Sequence, residues 1–472
     1  MLGWLLDACD LVAKSPDLLH RQQQWLFVQH FGLLSRAATL RRRDCRPKWS
    51  IMDGVDMAAI PQDSSLESSV SLLREGYDFI RNRCERLGTD VFMVRLLMQD
   101  TICMRGEDAA RLFYDEQYLQ RAHAAPRMLQ KTLFGKGGVQ GLDGAAHRHR
   151  KHLFLSLLGD EGVLKMVRLA NAEWSAAIEH WQSRERIVLL PEVQLILTRA
   201  ACRWAGVPLV EGEAQERCEQ LAAMIDGAGG VATRHWHARR ARKAAESWAA
   251  GLVQRVREGS LEVAEKQPLA VVASHTEPDG RLLELEIAAV ELLNLLRPIV
   301  AVSRFVVYAA MELLAHPQWR QRLQESDGLL EPFAQEVRRL YAFFPFTAAR
   351  VKQDFEWKGY RFPAGTRVLL DLYGTNRDPR SWQEPHCFDP ERFSRWSGSA
   401  FNFITQGGGD PADGHRCPGE RLAIELLKDS LRLLTRQMEY AVPAQDLRID
   451  SSRMPAQPES RLVISDVRRI AQ

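Results

Sequence analysis

A long apolar segment, residues 285–317, constrains the fold most, because its apolar side chains recur at helical spacing throughout. It predicts a single helix of roughly 30 residues, about 45 Å long. The segment is too polar to span a membrane, since it contains Glu291, Asn294, Arg297, Arg304 and Glu312. Helical patterns dominate from residue 68 to 342, and strand patterns are confined to short stretches near residues 92, 355 and 367 and at the C-terminus. The sequence therefore predicts a mainly α fold with a minor β region.

Composition limits the cellular setting of the chain. The 472 residues are 46% hydrophobic, enough for a core that encloses a cofactor. Basic and acidic residues nearly balance, 63 against 60, so we expect no nucleic-acid partner and no stable membrane insertion. The eight cysteines are scattered without metal-type spacing, which is typical of a reducing compartment and predicts a cytoplasmic protein.

Residues 1–60 differ from the rest of the chain and are rich in Trp, Gln and Arg. We expect no signal peptide or membrane anchor here, because acids interrupt the first apolar run at Asp7 and Asp10. Two interpretations are open: a real N-terminal extension, or a misassigned leader before a true start at Met52 or Met57. Residues 61–472 are then the main domain.

A glycine-rich loop leads into Cys417, Pro418 and Gly419, and a helix is predicted to open at Glu420. Glycines let the backbone approach a flat ligand, and backbone N–H groups beside a helix N-terminus favour a thiolate. A thiolate of this kind suits haem iron. Alone, the motif favours a buried structural cysteine.

Two upstream motifs decide between these interpretations. Glu336 and Arg339 lie one helical turn apart, where they can pair, and Arg392 follows in the sequence Pro-Glu-Arg-Phe. In this order, before a cysteine loop, the set resembles the cytochrome P450 superfamily. The resemblance implies its fold, with haem b buried between the long distal helix and the cysteine-loop helix, Cys417 as axial thiolate ligand, and residues 61–472 as the haem-thiolate catalytic domain.

The cysteine loop departs from the usual superfamily pattern. The superfamily normally has an aromatic residue seven positions before the cysteine and a glycine four before it. Here those positions hold Asp410 and Asp413, and the loop is lengthened. The departure is similar to one branch of the superfamily, the fatty-acid peroxygenases and decarboxylases.

A basic run from His147 to His152 lies in the helix that is predicted to begin near residue 144. One interpretation is a solvated basic face. The other, which we favour, is haem propionate binding: His147 and Lys151 share one helix face, and the segment resembles the propionate-binding helix of the superfamily.

Arg297 and Pro298 occupy the place where monooxygenases of the superfamily carry an acid–alcohol pair. An arginine in an apolar helix needs an anion, and no acid lies three or four residues from Arg297. The partner is either a distant Asp or Glu or a bound carboxylate, which matches a guanidinium in two-pronged geometry. Pro298 is expected to release a backbone carbonyl and kink the helix. Arg304, seven residues on, either attracts a carboxylate itself or points into solvent, and we assign it a minor role.

The resemblance to the peroxygenase branch implies a mechanism. A fatty-acid carboxylate docks on Arg297 and moves the proton while hydrogen peroxide is cleaved, giving a 2- or 3-hydroxy fatty acid without a redox partner. In that branch the residue at the Gln140 position lies over the haem, and glutamine there favours hydroxylation whereas histidine favours decarboxylation. Phe134 and Phe343 are candidate lining residues for the acyl chain; plain core packing or surface exposure are the alternatives for these positions.

Other functions remain open at this stage. One is a reductase-dependent monooxygenase of the same superfamily, which the missing acid–alcohol pair disfavours. A fatty-acid decarboxylase or a hydroperoxide-processing haem enzyme is another. A non-catalytic haem sensor is the third, and no signalling or DNA-binding segment supports it.

Overall fold

A computed structural model of the chain describes residues 59–470, and Glu211 is described by its backbone alone. The predicted extension, residues 1–60, lies almost wholly outside the described residues and stays a prediction. None of the helices in this described part is both long and apolar enough to cross a membrane.

Helices make up most of the described chain. The α-helices are α1 (Ser69–Glu75), α2 (Phe79–Leu87), α3 (Glu107–Phe113), α4 (Arg127–Leu129), α5 (Gly144–Leu157), α6 (Asp160–Trp181), α7 (Leu189–Ala205), α8 (Glu211–Asp226), α9 (Ala232–Arg257), α10 (Pro268–Ser274), α11 (Leu285–Ala301), α12 (Ser303–Ala315), α13 (Gln318–Glu325), α14 (Leu330–Leu340), α15 (Leu372–Thr375), α16 (Arg392–Arg395) and α17 (Glu420–Arg432). Short 3₁₀ turns span Gly76–Asp78, Val139–Gly141 and Asp327–Leu329, and π-helical turns span Gln130–Phe134 and Leu433–Gln437.

The β region is small, as predicted. Its strands are β1 (Val91–Leu96), β2 (Gln99–Met104), β3 (Leu119–Gln120), β4 (Arg186–Val188), β5 (Phe346–Val351), β6 (Phe355–Trp357), β7 (Tyr360–Phe362), β8 (Arg367–Asp371), β9 (Met438–Ala441) and β10 (Val463–Arg469). They form a five-stranded sheet in the order β1-β2-β8-β5-β3, a three-stranded sheet β4-β10-β9 and the hairpin β6-β7. The strands predicted near residues 92, 355 and 367 and at the C-terminus are all present, and the predicted fold class is confirmed.

The long predicted helix is divided into α11 and α12 at Val302. Pro298 lies inside α11 and has no N–H to donate to the carbonyl of Asn294, four residues earlier. The Val302 N–H then donates to the Ile299 carbonyl at 3.1 Å, a tighter turn than the α-helical one. The interruption that Pro298 predicted therefore falls one turn after it.

Both halves of this helix are buried in the main apolar core. Helix α11 packs against α7 and α9, and α12 packs against α14 and the cysteine-loop helix α17. The helix predicted to open at Glu420 is present as α17, and its Leu422, Leu427 and Leu431 are at most 4% exposed. The helix that carries Arg297 thus continues into one that contacts the cysteine-loop helix directly.

Candidate active site

Cys417 lies at the start of α17, in a loop that is closed by its own backbone. The Cys417 N–H donates to the Gln406 carbonyl at 2.9 Å, and α17 begins three residues later at Glu420. Burial raises the pKa of the Cys417 thiol, whereas hydrogen bonds from the Gly419 N–H and the Gln406 side chain lower it. One predicted backbone N–H donor, that of Gly419, therefore acts on the sulfur, and burial outweighs its effect on the pKa of the thiol.

The lengthened part of the loop forms a separate turn before the cysteine. Asp410 Oδ1 accepts from the N–H groups of Ala412 at 2.6 Å and Asp413 at 3.0 Å. The Gly414 N–H then donates back to the Asp410 carbonyl at 3.1 Å. The two acids that replace the usual aromatic and glycine residues therefore close an inserted turn and leave the backbone pairing at Cys417 intact.

The predicted Glu336–Arg339 pair is confirmed. Both side chains are fully buried, and two guanidinium nitrogens of Arg339 lie 2.7 Å from the two Glu336 oxygens. Arg392 Nε lies 3.1 Å from Glu336 Oε1, and Arg339 also donates to the carbonyls of Asn376 and Pro385. These contacts fix α14 to the segment that leads to the cysteine loop.

His147 and Lys151 share a buried face of α5, as their spacing predicted. Lys151 Nζ donates to the carbonyls of Gly414 and Arg416 in the cysteine loop. The His147 ring stacks on His415 with centroids 3.9 Å apart, and its Nδ1 is buried without a hydrogen-bond partner among residues 59–470. Burial and the nearby charges of His415 and Lys151 lower the pKa of His147 to about 3.

Arg297 is only 5% exposed, and its contacts are neutral. One guanidinium nitrogen donates to the Leu133 carbonyl, and another lies 3.2 Å from Asn294 Oδ1. Within residues 59–470 no carboxylate forms an ion pair with Arg297, so pairing with a distant acid is not found. Burial, together with the positive charge of Arg242, lowers the pKa of Arg297 to about 9. The Arg297 guanidinium is thus a buried cation with no anionic partner within residues 59–470.

Gln140 belongs to the same polar cluster as Arg297. Asn294 Nδ2 donates to Glu291 Oε2 at 2.8 Å and to Gln140 Oε1 at 3.3 Å. Glu291 is fully buried and accepts from Arg150 Nη1 at 2.9 Å and from the Val139 N–H at 2.8 Å. The loop that carries Gln140 is therefore tied to the distal helix beside Arg297.

The two predicted lining phenylalanines occupy different places. Phe134 is half-buried and directly follows Leu133, whose carbonyl contacts Arg297. Phe343 packs against Phe305 of α12, with ring centroids 6.2 Å apart. Phe134 is thus beside the Arg297 cluster, whereas Phe343 lies against the helix two turns further on.

Arg304 differs from the sequence expectation, because it neither points into solvent nor stays free. It is 2% exposed and forms an ion pair with Asp226 at the end of α8, and its guanidinium also lies 3.2 Å from Gln457 Oε1. The ion pair with Asp226, 78 positions away in sequence, offsets the free-energy cost of burying the Arg304 guanidinium.

Sequence reasoning missed three residues of these clusters. Asn294 was seen only as a polar interruption, Arg242 was not singled out, and His415 was passed over beside Cys417. Arg242 and Arg297 meet only in the folded chain, so no spacing rule connects them. The position of His415, two residues before Cys417, was the available signal.

Comparisons with known proteins agree with this geometry. A family model described as Cytochrome P450 matches residues 311–459. Cytochrome P450 71A8 of Mentha piperita is 29% identical over 179 residues, and a melianol synthase, CYP71BQ5 of Melia azedarach, is 32% identical over 132 residues. The matches cover 33% and 26% of this chain, and the chain spans only 35% and 26% of the length of these curated relatives.

Solved structures match over much more of the chain. Cytochrome P450EX alpha (CYP152N1) with myristic acid is 43% identical, with a TM-score of 0.85, covering 88% of this chain and 100% of that one. Cytochrome P450SP alpha (CYP152B1) in complex with (R)-ibuprophen is 44% identical, with a TM-score of 0.84 and coverage of 86% and 99%. A variant of cytochrome P450 OleT in complex with arachidonic acid is 31% identical, with a TM-score of 0.86 and coverage of 88% and 100%.

The chain therefore belongs to the cytochrome P450 family. The CYP152 structures match far more of this chain than the curated relatives do. The branch of the family that the sequence indicated is therefore confirmed. The family implies a haem whose iron is held by a cysteine thiolate.

The residues present fit such a group. The Gly419 N–H and the Gln406 side chain both lower the pKa of the Cys417 thiol, which favours the thiolate that iron binds. The unpartnered His147 Nδ1 is a buried donor or acceptor that a propionate could satisfy. At Gly407, with φ +100°, a Cβ would lie 3.1 Å from the Arg416 Cα, so the loop closes over the cysteine only with glycine there.

Proposed function

We propose that this protein hydroxylates long-chain fatty acids at the 2- or 3-position with hydrogen peroxide, holding the substrate carboxylate on Arg297. The observation that carries the proposal is a buried guanidinium, on the distal helix of a cytochrome P450, that has no carboxylate partner within residues 59–470. Buried cations of this kind are costly unless an anion neutralises them.

The ion pairs around Arg297 leave this residue without an acid of its own among the described residues. Arg150 pairs with Glu291 and Glu277, and Arg242 pairs with Glu246. Arg297 alone among these three arginines lacks an acidic partner in the described part of the chain. A single carboxylate therefore fits the site, and a guanidinium binds it with two parallel hydrogen bonds.

The chain would hold haem b through Cys417, with His147 and Lys151 as candidate groups for the propionates. When bound, the haem supplies the oxidising chemistry that inserts oxygen from peroxide into a C–H bond. Arg297 holds the carboxylate, and that carboxylate stands where an acid–alcohol pair would otherwise move the proton. Because the head group is fixed, the carbon one or two bonds beyond it is the one presented for reaction.

Two features favour this reaction over its alternatives. Positions 297 and 298 hold Arg and Pro. The acid–alcohol pair that would deliver protons in reductase-dependent oxygen activation is therefore missing at these positions. Position 140 holds Gln and not His, which in the branch that the chain resembles is typical of hydroxylation over decarboxylation, and Gln140 contacts Asn294 in the Arg297 cluster. Independence from a redox partner and a cytoplasmic location remain predictions from the sequence.

The proposal is tested with purified haem-loaded enzyme, a long-chain fatty acid and hydrogen peroxide, without any reductase. We expect 2- or 3-hydroxy acids by mass spectrometry. The Arg297→Ala variant should lose on the order of a hundredfold in turnover, because two hydrogen bonds to a charged carboxylate disappear. Its carbon monoxide difference spectrum should stay that of a haem-thiolate protein.

Arg281→Ala is the matched control, because the Arg281 side chain is 84% exposed and pairs only with Asp279 at the surface. Its turnover should equal that of the wild type. Unchanged turnover in Arg297→Ala would contradict carboxylate docking. Activity only with NADPH and a reductase would establish the monooxygenase alternative, and a terminal alkene as main product would establish the decarboxylase.

A further inference from the structure

A second buried arginine, Arg242 of helix α9, converges on the same carbonyl as Arg297. Arg242 is 2% exposed, and its Nη1 donates to the Leu133 carbonyl at 2.6 Å. Arg297 donates to the same oxygen from helix α11. A carbonyl oxygen has two lone pairs, so one acceptor joins two guanidinium groups from different helices.

The Leu133 carbonyl is available because of the local backbone. Leu133 lies in the π-helical turn Gln130–Phe134, which ends when the Gly135 N–H donates to the Gln130 carbonyl at 2.9 Å. The last carbonyls of such a turn have no partner inside it. Gly135 has φ +79°, and a Cβ there would lie 2.1 Å from Arg242 Nη2, so the glycine makes space for Arg242.

Only one charge of the pair has an acid of its own within residues 59–470. Arg242 Nε lies 2.7 Å from Glu246 Oε1, but the Glu246 side chain is 35% exposed to solvent. Arg242 Nη2 is buried and has no hydrogen-bond partner in the described part of the chain. The positive charge of Arg242 is one of the causes that lower the pKa of Arg297. The two cations therefore act on one another electrostatically as well as through Leu133.

We propose that Arg242 is a positioning residue for the fatty-acid head group. It anchors the Leu133 carbonyl that aims the Arg297 guanidinium, and its charge adds to the attraction for a carboxylate bound on Arg297. The proposal rests on the proposed function, because it takes Arg297 as the carboxylate-binding residue. It assigns helix α9, remote in sequence from α11, a part in substrate affinity and in the choice of reacting carbon.

The test compares Arg242→Met, which keeps the length but loses the charge, with Arg242→Lys, which keeps the charge. Fatty-acid binding to the haem-loaded enzyme is measured by calorimetry with myristic acid, and the ratio of 2- to 3-hydroxy product by mass spectrometry. We expect Arg242→Met to raise the dissociation constant on the order of tenfold, since a cation that shares the Leu133 carbonyl with Arg297 is lost. The product ratio should shift as well, because Arg297 is no longer held in one orientation.

Arg242→Lys should recover most of the affinity but not the product ratio, because an ammonium replaces the charge without the fork geometry. Glu246→Gln is the matched control: it removes the ion pair of Arg242 while leaving both bonds to Leu133, so the affinity should not fall and the product ratio should stay that of the wild type. Haem content and the unfolding midpoint are recorded for each variant, since a purely structural role would change those and leave the product ratio alone.

Wild-type affinity and product ratio in a folded Arg242→Met would overturn the proposal. If Arg297→Ala loses fatty-acid binding while Arg242→Met does not, the proposed function stands and the role of Arg242 fails. If neither variant affects binding, Arg297 does not hold the carboxylate and the proposed function itself fails. If Arg242→Met does not fold, the Arg242→Lys product ratio decides, because an unchanged ratio contradicts positioning.

Discussion

The amide of Asn294 has one possible orientation, and this sets the orientation of Gln140. Asn294 Oδ1 accepts from the Arg297 guanidinium, which can only donate, and Nδ2 donates to the Glu291 carboxyl oxygen. The bond from Nδ2 to Gln140 must therefore end on the carbonyl oxygen of Gln140. The amide N–H groups of Gln140 take no part in this bond and remain donors.

Asp371, at the end of β8, provides a test of pH dependence. Its side chain is 1% exposed; Oδ1 accepts from the Gly374 N–H at 2.7 Å, and Oδ2 has no partner in residues 59–470. Burial raises the pKa of Asp371 to about 7, against the lowering effects of Gly374 and Arg105. The folded protein therefore binds a proton here that the unfolded chain releases near pH 4, and stability falls as pH rises between these values.

Replacing Asp371 with Asn removes that dependence while keeping the acceptor for Gly374. The stability gain of Asp371→Asn over wild type should grow by on the order of 2 kcal/mol between about pH 5 and pH 8, and stay level above. Unfolding midpoints of the haem-loaded proteins across this range measure it. A gain that is the same at all pH values would show that Asp371 is already ionised in the fold.

At the scale of elements, the Arg297 cluster depends on the contacts that join α5, and the loop before it, to α11. Glu291 of α11 accepts from Arg150 of α5, from the Val139 N–H and from Asn294. Spacing along α11 showed Arg297 without a helical partner, but it could not show that Glu291 is committed to another helix. Such long-range pairs leave no periodic signal in a sequence, and the same holds for Arg304 with Asp226.

Glu291→Ala tests this join between α5 and α11. The change leaves Arg150 with only the partly exposed Glu277 and takes the acceptor from Val139 and Asn294, so it should cost about 3 kcal/mol of folding free energy. Fatty-acid affinity should fall too, because Asn294 no longer holds Arg297. Urea unfolding and calorimetry measure the two effects.

Glu277→Ala is the control, since Glu277 contacts the same Arg150 but is 34% exposed. It should cost under about 1 kcal/mol and leave the affinity unchanged. Equal losses in both variants would mean that Arg150, and not the buried Glu291, is what the cluster depends on.

At the scale of the whole molecule, the sequence predicted the fold because its strongest motifs are local. The Glu336–Arg339 spacing, the loop before Cys417 and the Arg297–Pro298 pair each lie within a few residues, and the structure places each on the element that the sequence predicts. The inserted turn at Asp410, the break at Val302 rather than at Pro298, and the convergence of Arg242 on Leu133 depend on three-dimensional packing. These features had no sequence signal that a periodicity or motif could report.

The Glu336 cluster links distant parts of the molecule, so its loss should affect the whole fold. Glu336→Ala leaves Arg339, fully buried, and Arg392, whose side chain is 9% exposed, without their shared acid, and takes the acceptor from the Asp389 N–H. Two uncompensated buried cations should cost about 4 kcal/mol. The segment that leads to the cysteine loop would then lose its anchor, and purified protein should retain less haem, measured by Soret absorbance per chain.

Asp354→Ala, which breaks an ion pair whose two side chains are both 51% exposed, should leave haem content and unfolding midpoint unchanged. Full haem retention in Glu336→Ala would show that the backbone contacts of the cysteine loop, and not this buried charge cluster, hold Cys417 in place.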